Sequence, residues 1–572
     1  MSDAVPTTND HHSEPPPDER LTLTAAQRGI WYAQSLDPEN PTYQIGQYLD
    51  VAGRVDARLL SIALTKTVRD IDSISMRFRA DDDGPYAVLR RPAPTDDLLE
   101  VVDLAHLEVA DARELALARM DAEMTTARSL TGEELFGAIL FQLDGDRSLL
   151  FQRVHHIALD GYSAVIALHY LARVYTELDR RAPSWLPTRP VAGLVSRVAA
   201  RTPSPFPGHD ELLAVLEDYR TSPEAEQDEA FWRETLAQDS AVDGLEGTTG
   251  RAATRVVRVT LPLSPERSAP LAALGRDLPK TMVGVIALYL AKITGQETVS
   301  LGLPVTARRG AVAKAAPSML SSILPLRVAV PGSATLADTV AHAGDVIRSV
   351  VKHQRFRLED LAGAPAQAGP SVNLLPVIDA LTLGSATGEV RILSTGPVHD
   401  LSVVVSGLES SAAVPTVQLE GDADLHTRQS LTEHGERLLS LLDQVVQEAD
   451  ATVATTRVVS DAEIPPLLAQ GAGPELALEE ETVVEAFAAA AARRPDDVAV
   501  VAPDGELTLA ELDSASTRLA HHLLSEGVAP GSCVAVRIER TRHLPMLVLA
   551  LLKAGAVYVP WTLSTRSTAS RG

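Results

Sequence analysis

Two rhythms alternate along the chain. Apolar residues recurring at three- and four-residue steps predict helices over 23–36, 58–71, 104–126 and 162–178, then near Phe231 and over 281–294, 336–353 and 431–448. Between them, short runs rich in β-branched and aromatic residues predict strands at 75–79, 86–90, 135–143, 148–154, 254–261, 298–304 and 401–405. Turns such as Asp144-Gly145-Asp146-Arg147 join neighbouring strands, and Thr24 is placed to cap the first helix. Helices and strands mixed in this way predict an α/β (α+β) fold.

Breaks in the pattern divide the chain. Residues 1–20 are polar, proline-rich and acidic, and read as a disordered tail rather than a signal peptide. A proline-rich stretch at 183–207 separates a first lobe, 21–190, from a second, 191–450. Residues 451–480 turn to threonine, proline, glycine and acid, as a linker does. A new α/β pattern occupies 481–560, and an atypical basic, serine- and threonine-rich tail follows at 561–572. That tail reads as a frameshift or a gene boundary. The apolar run 544–561 contains Lys553, Gly555 and Pro560, so it is expected to be a buried helix running into a strand rather than a membrane span.

Composition narrows the function. A 572-residue chain with 45 % hydrophobic residues can bury several cores. Its formal charge of -25 disfavours nucleic acid and anionic membranes as partners. The single cysteine, Cys533, excludes a disulfide framework and a cysteine-based zinc site, and suits a reducing, cytoplasmic compartment.

The segment best suited to chemistry is His155-His156-Ile157-Ala158-Leu159-Asp160-Gly161, between a predicted strand and a predicted helix. An imidazole exchanges or places a proton near neutral pH, a carboxylate can pair with an arginine, and a glycine permits a tight turn. A second histidine pair, His521-His522, has no Asp-Gly after it and reads as a helix surface.

These seven residues resemble the HHxxxDG signature of nonribosomal peptide synthetase condensation domains. Other segments carry the same resemblance in order: 23–31, Ser75-Met76-Arg77-Phe78, Gly302-Leu303-Pro304-Val305 with Arg308 and Arg309, 319–326, His353-Gln354-Arg355-Phe356 and Gly396-Pro397-Val398-His399-Asp400-Leu401. The likeness is to enterobactin-type siderophore modules. It implies two chloramphenicol-acetyltransferase-like lobes in a V arrangement, with the signature at their junction. It implies amide formation by attack of a carrier-bound aminoacyl amine on a carrier-bound acyl or aryl thioester. His156 is the expected catalytic residue, His155 and Asp160 are expected to be architectural, and Gly161 is expected to keep space near the reacting carbonyl. Arg77 and Arg308 are the candidate partners of Asp160. No cofactor is bound covalently and no metal is expected; the 4'-phosphopantetheine arms of an upstream aryl or acyl carrier protein, acting in trans, and of an acceptor peptidyl carrier protein enter the site.

Residues 483–560 resemble the start of an adenylation domain, on 507–512 and 552–560, without the family's phosphate loop. Adenylation is therefore not expected of this chain. Epimerisation and heterocyclisation fit less well: no Glu-Gly-His-Gly segment is present, and the histidines are not replaced by aspartates. A stand-alone acyltransferase and an inactive module that only docks carrier proteins are the remaining alternatives.

Overall fold

The computed structural model describes residues 20–561 apart from 94–95, 133–134, 182–202, 238–251, 265, 268, 270–276, 362–368, 377, 409–415 and 474–481. The tails expected at 1–20 and 561–572, apart from Arg20 and Trp561, and most of the proline-rich stretch thus lie outside the described residues. The chain divides into two compact units, Met1–Glu463 and Ile464–Gly572.

The first lobe runs β1 (Arg20–Thr22), α1 (Ala25–Leu36), β2 (Gln44–Ala52), α2 (Ala57–Asp70), α3 (Asp72–Ser75), β3 (Met76–Asp81), β4 (Gly84–Leu89), β5 (Leu99–Asp103), α4 (Val109–Thr125), β6 (Phe136–Gln142), β7 (Arg147–His155) and α5 (Gly161–Arg181). The second supplies β8 (Val256–Pro262), β9 (Thr298–Val305), β10 (Ser322–Ala329), β11 (Ser371–Pro376), β12 (Leu381–Leu383), β13 (Ala386–Ser394), β14 (Leu401–Leu408) and β15 (Thr416–Asp422). Thr24 caps α1 through a capping box with Gln27, as its position predicts.

Two six-stranded sheets result, ordered β12-β13-β2-β7-β6-β5 and β10-β9-β11-β14-β15-β8. The first crosses the expected lobe boundary. β12 and β13 come from the second half of the sequence, yet β13 pairs antiparallel with β2 of the first. Their apolar residues Leu381, Leu383 and Ala386 complete the first lobe's core. The assignment of 191–450 wholly to the second lobe is therefore corrected.

The second core is built on the helix Leu278–Thr294, apolar on every side and buried throughout 281–291. It packs on the helices Leu336–Lys352 and Arg428–Gln447 and on β9. At Gly284 an added Cβ would lie 3.0 Å from the Val340 backbone, so a side chain there would push two crossing helices apart.

The expected linker starts later than its composition suggests. Thr452 bridges to Thr335, Val453 is buried in the second core, and Arg437 Nε donates to Glu463 Oε1 at 2.8 Å. Residues 451–463 thus belong to the first unit. The second unit pairs β16 (Val498–Ala502) with β17 (Gly505–Thr508) and β18 (Cys533–Val536) with β19 (Val557–Pro560). His521 and His522 lie exposed on its helix Leu509–Ser525. Among the described residues no helix is long and apolar enough to cross a membrane.

Leu288 is fully buried at the centre of the second core. Leu288→Ala is expected to lower unfolding stability by about 2–5 kcal/mol in a denaturant titration. A loss below about 1 kcal/mol would mean that this core does not pack as described.

Candidate active site

β7 ends at His155, opposite Gln44 of β2, and α5 begins at Gly161. The five residues from His156 to Asp160 form a short loop held by rigid elements on both sides.

Asp160 anchors this loop. It is 1 % exposed, and both oxygens pair with Arg308, at 2.7 and 3.1 Å. Oδ2 also accepts the backbone N–H groups of Leu320 (3.0 Å) and Ser321 (2.9 Å), and Oδ1 accepts that of Ser163 (2.9 Å). Burial pushes the carboxyl pKa up. The Arg308 charge and the hydrogen bonds outweigh it and hold the pKa below the ordinary value. Arg308 also donates to Ser163 Oγ and to the carbonyls of Ser318 and Thr306. From the other side, Arg357 donates to the carbonyls of Ser321 and Leu320. The segment 320–321 is thus gripped through its N–H groups by the first lobe and through its carbonyls by the second.

Sequence left Arg77 and Arg308 as alternatives. Arg77 is corrected: it donates to the carbonyls of Met76 and Ile74, and Asp160 pairs with Arg308. The turn before Arg308 carries backbone strain. Ala307 has φ 52°, and its N–H is accepted by Gln354 Oε1 at 3.1 Å. This gives Gln354 of the HQ segment a structural task. His353 pairs with buried Asp228 at 2.6 Å and stacks on Phe231.

The two histidines sit in unlike surroundings. His155 is 1 % exposed. Its Nδ1 accepts the Ile157 N–H at 3.2 Å, so the proton lies on Nε2 and is directed at Gln34 Oε1, 3.3 Å away. Burial first, then the neighbouring His156, pushes its pKa down to about 3. It is a neutral structural imidazole.

His156 lines a cavity of about 510 Å³ whose walls come from both lobes: Gly161, Tyr162 and Val154 on one side, Val305, Ser322 and Asn373 on the other. Burial lowers its pKa, and the Asp160 charge only partly opposes this, so the ring is neutral at pH 7. Nδ1 is buried without a well-formed hydrogen bond. The backbone carbonyls of His156 and Leu159 favour a proton on the ring.

Across from His156 lies Gly396, at φ 117°. A Cβ there would stand 2.8 Å from His156 Cδ2 and 3.1 Å from Nε2. Only glycine combines that backbone conformation with that approach. A second cleft, about 650 Å³ and lined by α4, the segment 253–258 and Arg428, also reaches Gly396 and Ser394. Gly161 differs from the expectation that the turn itself needs a glycine. Its φ is not positive, and a Cβ would meet nothing within 4 Å. The turn does not require glycine; its open side is the cavity.

Comparison with known proteins follows the same outline. The condensation-domain family matches residues 18–468, and the AMP-binding enzyme family matches 487–571. The isonitrile lipopeptide synthase of Streptomyces coeruleorubidus is 31 % identical over 95 % of this chain and 36 % of its own length. Enterobactin synthase component F of Escherichia coli (strain K12) is 25 % identical over 95 % and 41 %. The chain spans only about a fifth to two fifths of such relatives. The solved first condensation domain of the calcium-dependent antibiotic synthetase, in complex with a substrate analogue, matches at 32 % identity and TM-score 0.68. That match covers 77 % of this chain and 99 % of that one.

Arg308→Met leaves Asp160 buried without its counter-charge. It is expected to cost about 3–5 kcal/mol at pH 7 by chemical denaturation. The Asp160 contribution exists above the ordinary carboxylate pKa and disappears as pH falls through its lower folded value, so the variant should also lose that acid sensitivity. Equal stability of parent and variant at pH 7 would contradict the clamp. For His155 the unfolded chain binds a proton at about pH 6.5 and the folded one only near 3. Folding stability should therefore fall by about 1.4 kcal/mol per unit as pH drops from about 6.5 towards 3, and His155→Gln should remove that share of the slope.

Proposed function

The chain belongs to the condensation-domain family, and we propose that it forms an amide bond between a carrier-bound aminoacyl amine and a carrier-bound acyl or aryl thioester at His156. One observation carries this reading: a neutral imidazole at the meeting of two lobes, its Nε2 facing Gly396, where two clefts converge. The amine nitrogen attacks the thioester carbonyl carbon, the C–N bond forms, and the C–S bond then breaks. The nitrogen gives up a proton, and the departing sulfur leaves as a thiol on the donor arm.

A basic Nε2 is suited to orient the amine and receive its proton, whereas an oxyanion would need a donor there. An α-amine of pKa near 8 is already partly neutral at pH 7, so much of the rate comes from holding it against the carbonyl. Asp160 and Arg308 act through the loop rather than on the substrate.

The partners we propose are an upstream aryl or acyl carrier protein acting in trans and an acceptor peptidyl carrier protein, whose 4'-phosphopantetheine arms reach the site from separate clefts. The cytoplasm suits such partners. Likeness to enterobactin synthase component F and to vanchrobactin synthetase supports a siderophore-type product.

The test is single-turnover amide formation from a donor-loaded carrier protein and an aminoacyl carrier protein. His156→Ala is expected to lower the rate by about 10²–10⁴-fold, and His155→Gln, if folded, by far less. A parent rate matched by His156→Ala would exclude His156 from the chemistry.

A further inference from the structure

The helix Leu336–Lys352 ends at His353, and residues 353–357 form a tight turn after it. This turn hangs on two helices that contribute nothing to the cavity walls, His209–Arg220 and Pro223–Ala237. Buried Asp228 lies 2.6 Å from His353 Nδ1 and accepts the Tyr219 hydroxyl at 2.6 Å. Trp232 Nε1 donates to the His353 carbonyl at 3.0 Å, and the Arg355 guanidinium stacks on the Tyr219 ring. A buried carboxylate satisfied from two sides, beside a fully buried tryptophan, makes a rigid mount.

From this mount Gln354 and Arg357 reach back towards Asp160, whose Oδ2 accepts from Arg308 and from the N–H groups of Leu320 and Ser321. Gln354 aims the first of these. Its Nε2 donates to the Val351 carbonyl at 3.1 Å, which turns Oε1 to the N–H of Ala307, the left-handed residue next to Arg308. Arg357 aims the other two, because it donates to the carbonyls of the same two residues. The peptide between Leu320 and Ser321 thus has its N–H on the Asp160 carboxylate and its C=O on the Arg357 guanidinium. Its dipole lies along the field of both charges, and each hydrogen bond polarises the other. Burial pulls the Arg357 pKa below the ordinary arginine value, against the charges of Glu359, Asp160 and Asp360, and the guanidinium stays charged at pH 7. Ser321 also lines the cavity, so one peptide couples the mount, the cavity wall and the loop that carries His156.

Resting on the amide-forming reading, we propose that Gln354 and Arg357 are positioning residues for that reaction. Neither lines the cavity, so substrate binding is not their task. They act through Asp160. While its partners are held, the loop 156–160 keeps His156 at one place in the cavity, and a displacement of about 1 Å there costs about 100-fold in rate. Their loss therefore lowers kcat and leaves KM.

Arg357→Met, Arg357→Lys and Gln354→Leu are compared with the parent in two measurements. Amide formation between carrier-bound substrates gives kcat and KM separately. Hydrogen exchange of the Leu320 and Ser321 amides reads the grip on Asp160 without needing turnover. Leu288→Ala, which weakens the second core, is the control for lost stability and keeps the parent kcat. Arg357→Met and Gln354→Leu are expected to lower kcat about 10–100-fold with KM within about twofold. Arg357→Met should also speed exchange at both amides about tenfold or more. Arg357→Lys keeps the charge without the fork and recovers part of both; should Arg357→Met not fold, it carries both readouts. An unchanged kcat in Arg357→Met and Gln354→Leu, or a loss confined to KM, would overturn the proposal and leave the amide-forming reading standing. So would an equal loss of kcat in Leu288→Ala, since lost stability alone would then suffice. Faster exchange in Arg357→Met, with a parent that makes no amide, would support the coupling to Asp160 and sink the amide-forming reading alone. Unchanged exchange would overturn the coupling whatever the turnover.

Discussion

The pair Asp160–Arg308 is the contact on which the site depends. It joins residues 148 positions apart, with side chains 1 % exposed on both partners. Such a pair is a poor source of net stability, because desolvation consumes most of its Coulomb energy. Its value here lies in position. Asp160 closes the loop that carries His156, and Arg308 is fixed by Ser163, Ser318 and Thr306. The loop therefore cannot move without breaking contacts in both lobes.

Adjacent identical residues acquire different chemistry from this frame. Strand pairing sends one imidazole inward, where Gln34 and the Ile157 N–H fix its tautomer and burial keeps it neutral. The next residue is the first of the loop, and its ring lines the cavity. Gly396 makes room for it. The inner histidine holds the strand end, and the outer one faces the cavity.

Much of this was legible in the sequence because it is local. The hairpin of β6 and β7, the helix after Gly161 and the Thr24 cap are set by periodicity and turn chemistry within a few residues. What was not legible depends on distant chain segments. β2 and β13 pair across more than 300 residues, and no local pattern announced β13 as a strand of the first sheet. Arg77 and Arg308 looked alike as partners for Asp160, and only the strained turn at Ala307 aims one of them inward. Gln34, Ser163 and Arg357 are unremarkable by residue type and matter only through what they touch. Gly396 carried one usable signal, a glycine inside a segment that already resembled the active-site floor.

The amide-forming proposal rests on a neutral His156 that presents an unprotonated Nε2 to the cavity. The most direct measurement is nitrogen NMR of the histidine-labelled protein, with His156 assigned by the signal lost in His156→Ala. The account predicts a neutral ring protonated on Nδ1 at pH 7, still neutral as pH drops below the ordinary histidine value of about 6.5. An imidazolium at pH 7, or a neutral ring protonated on Nε2, would contradict it.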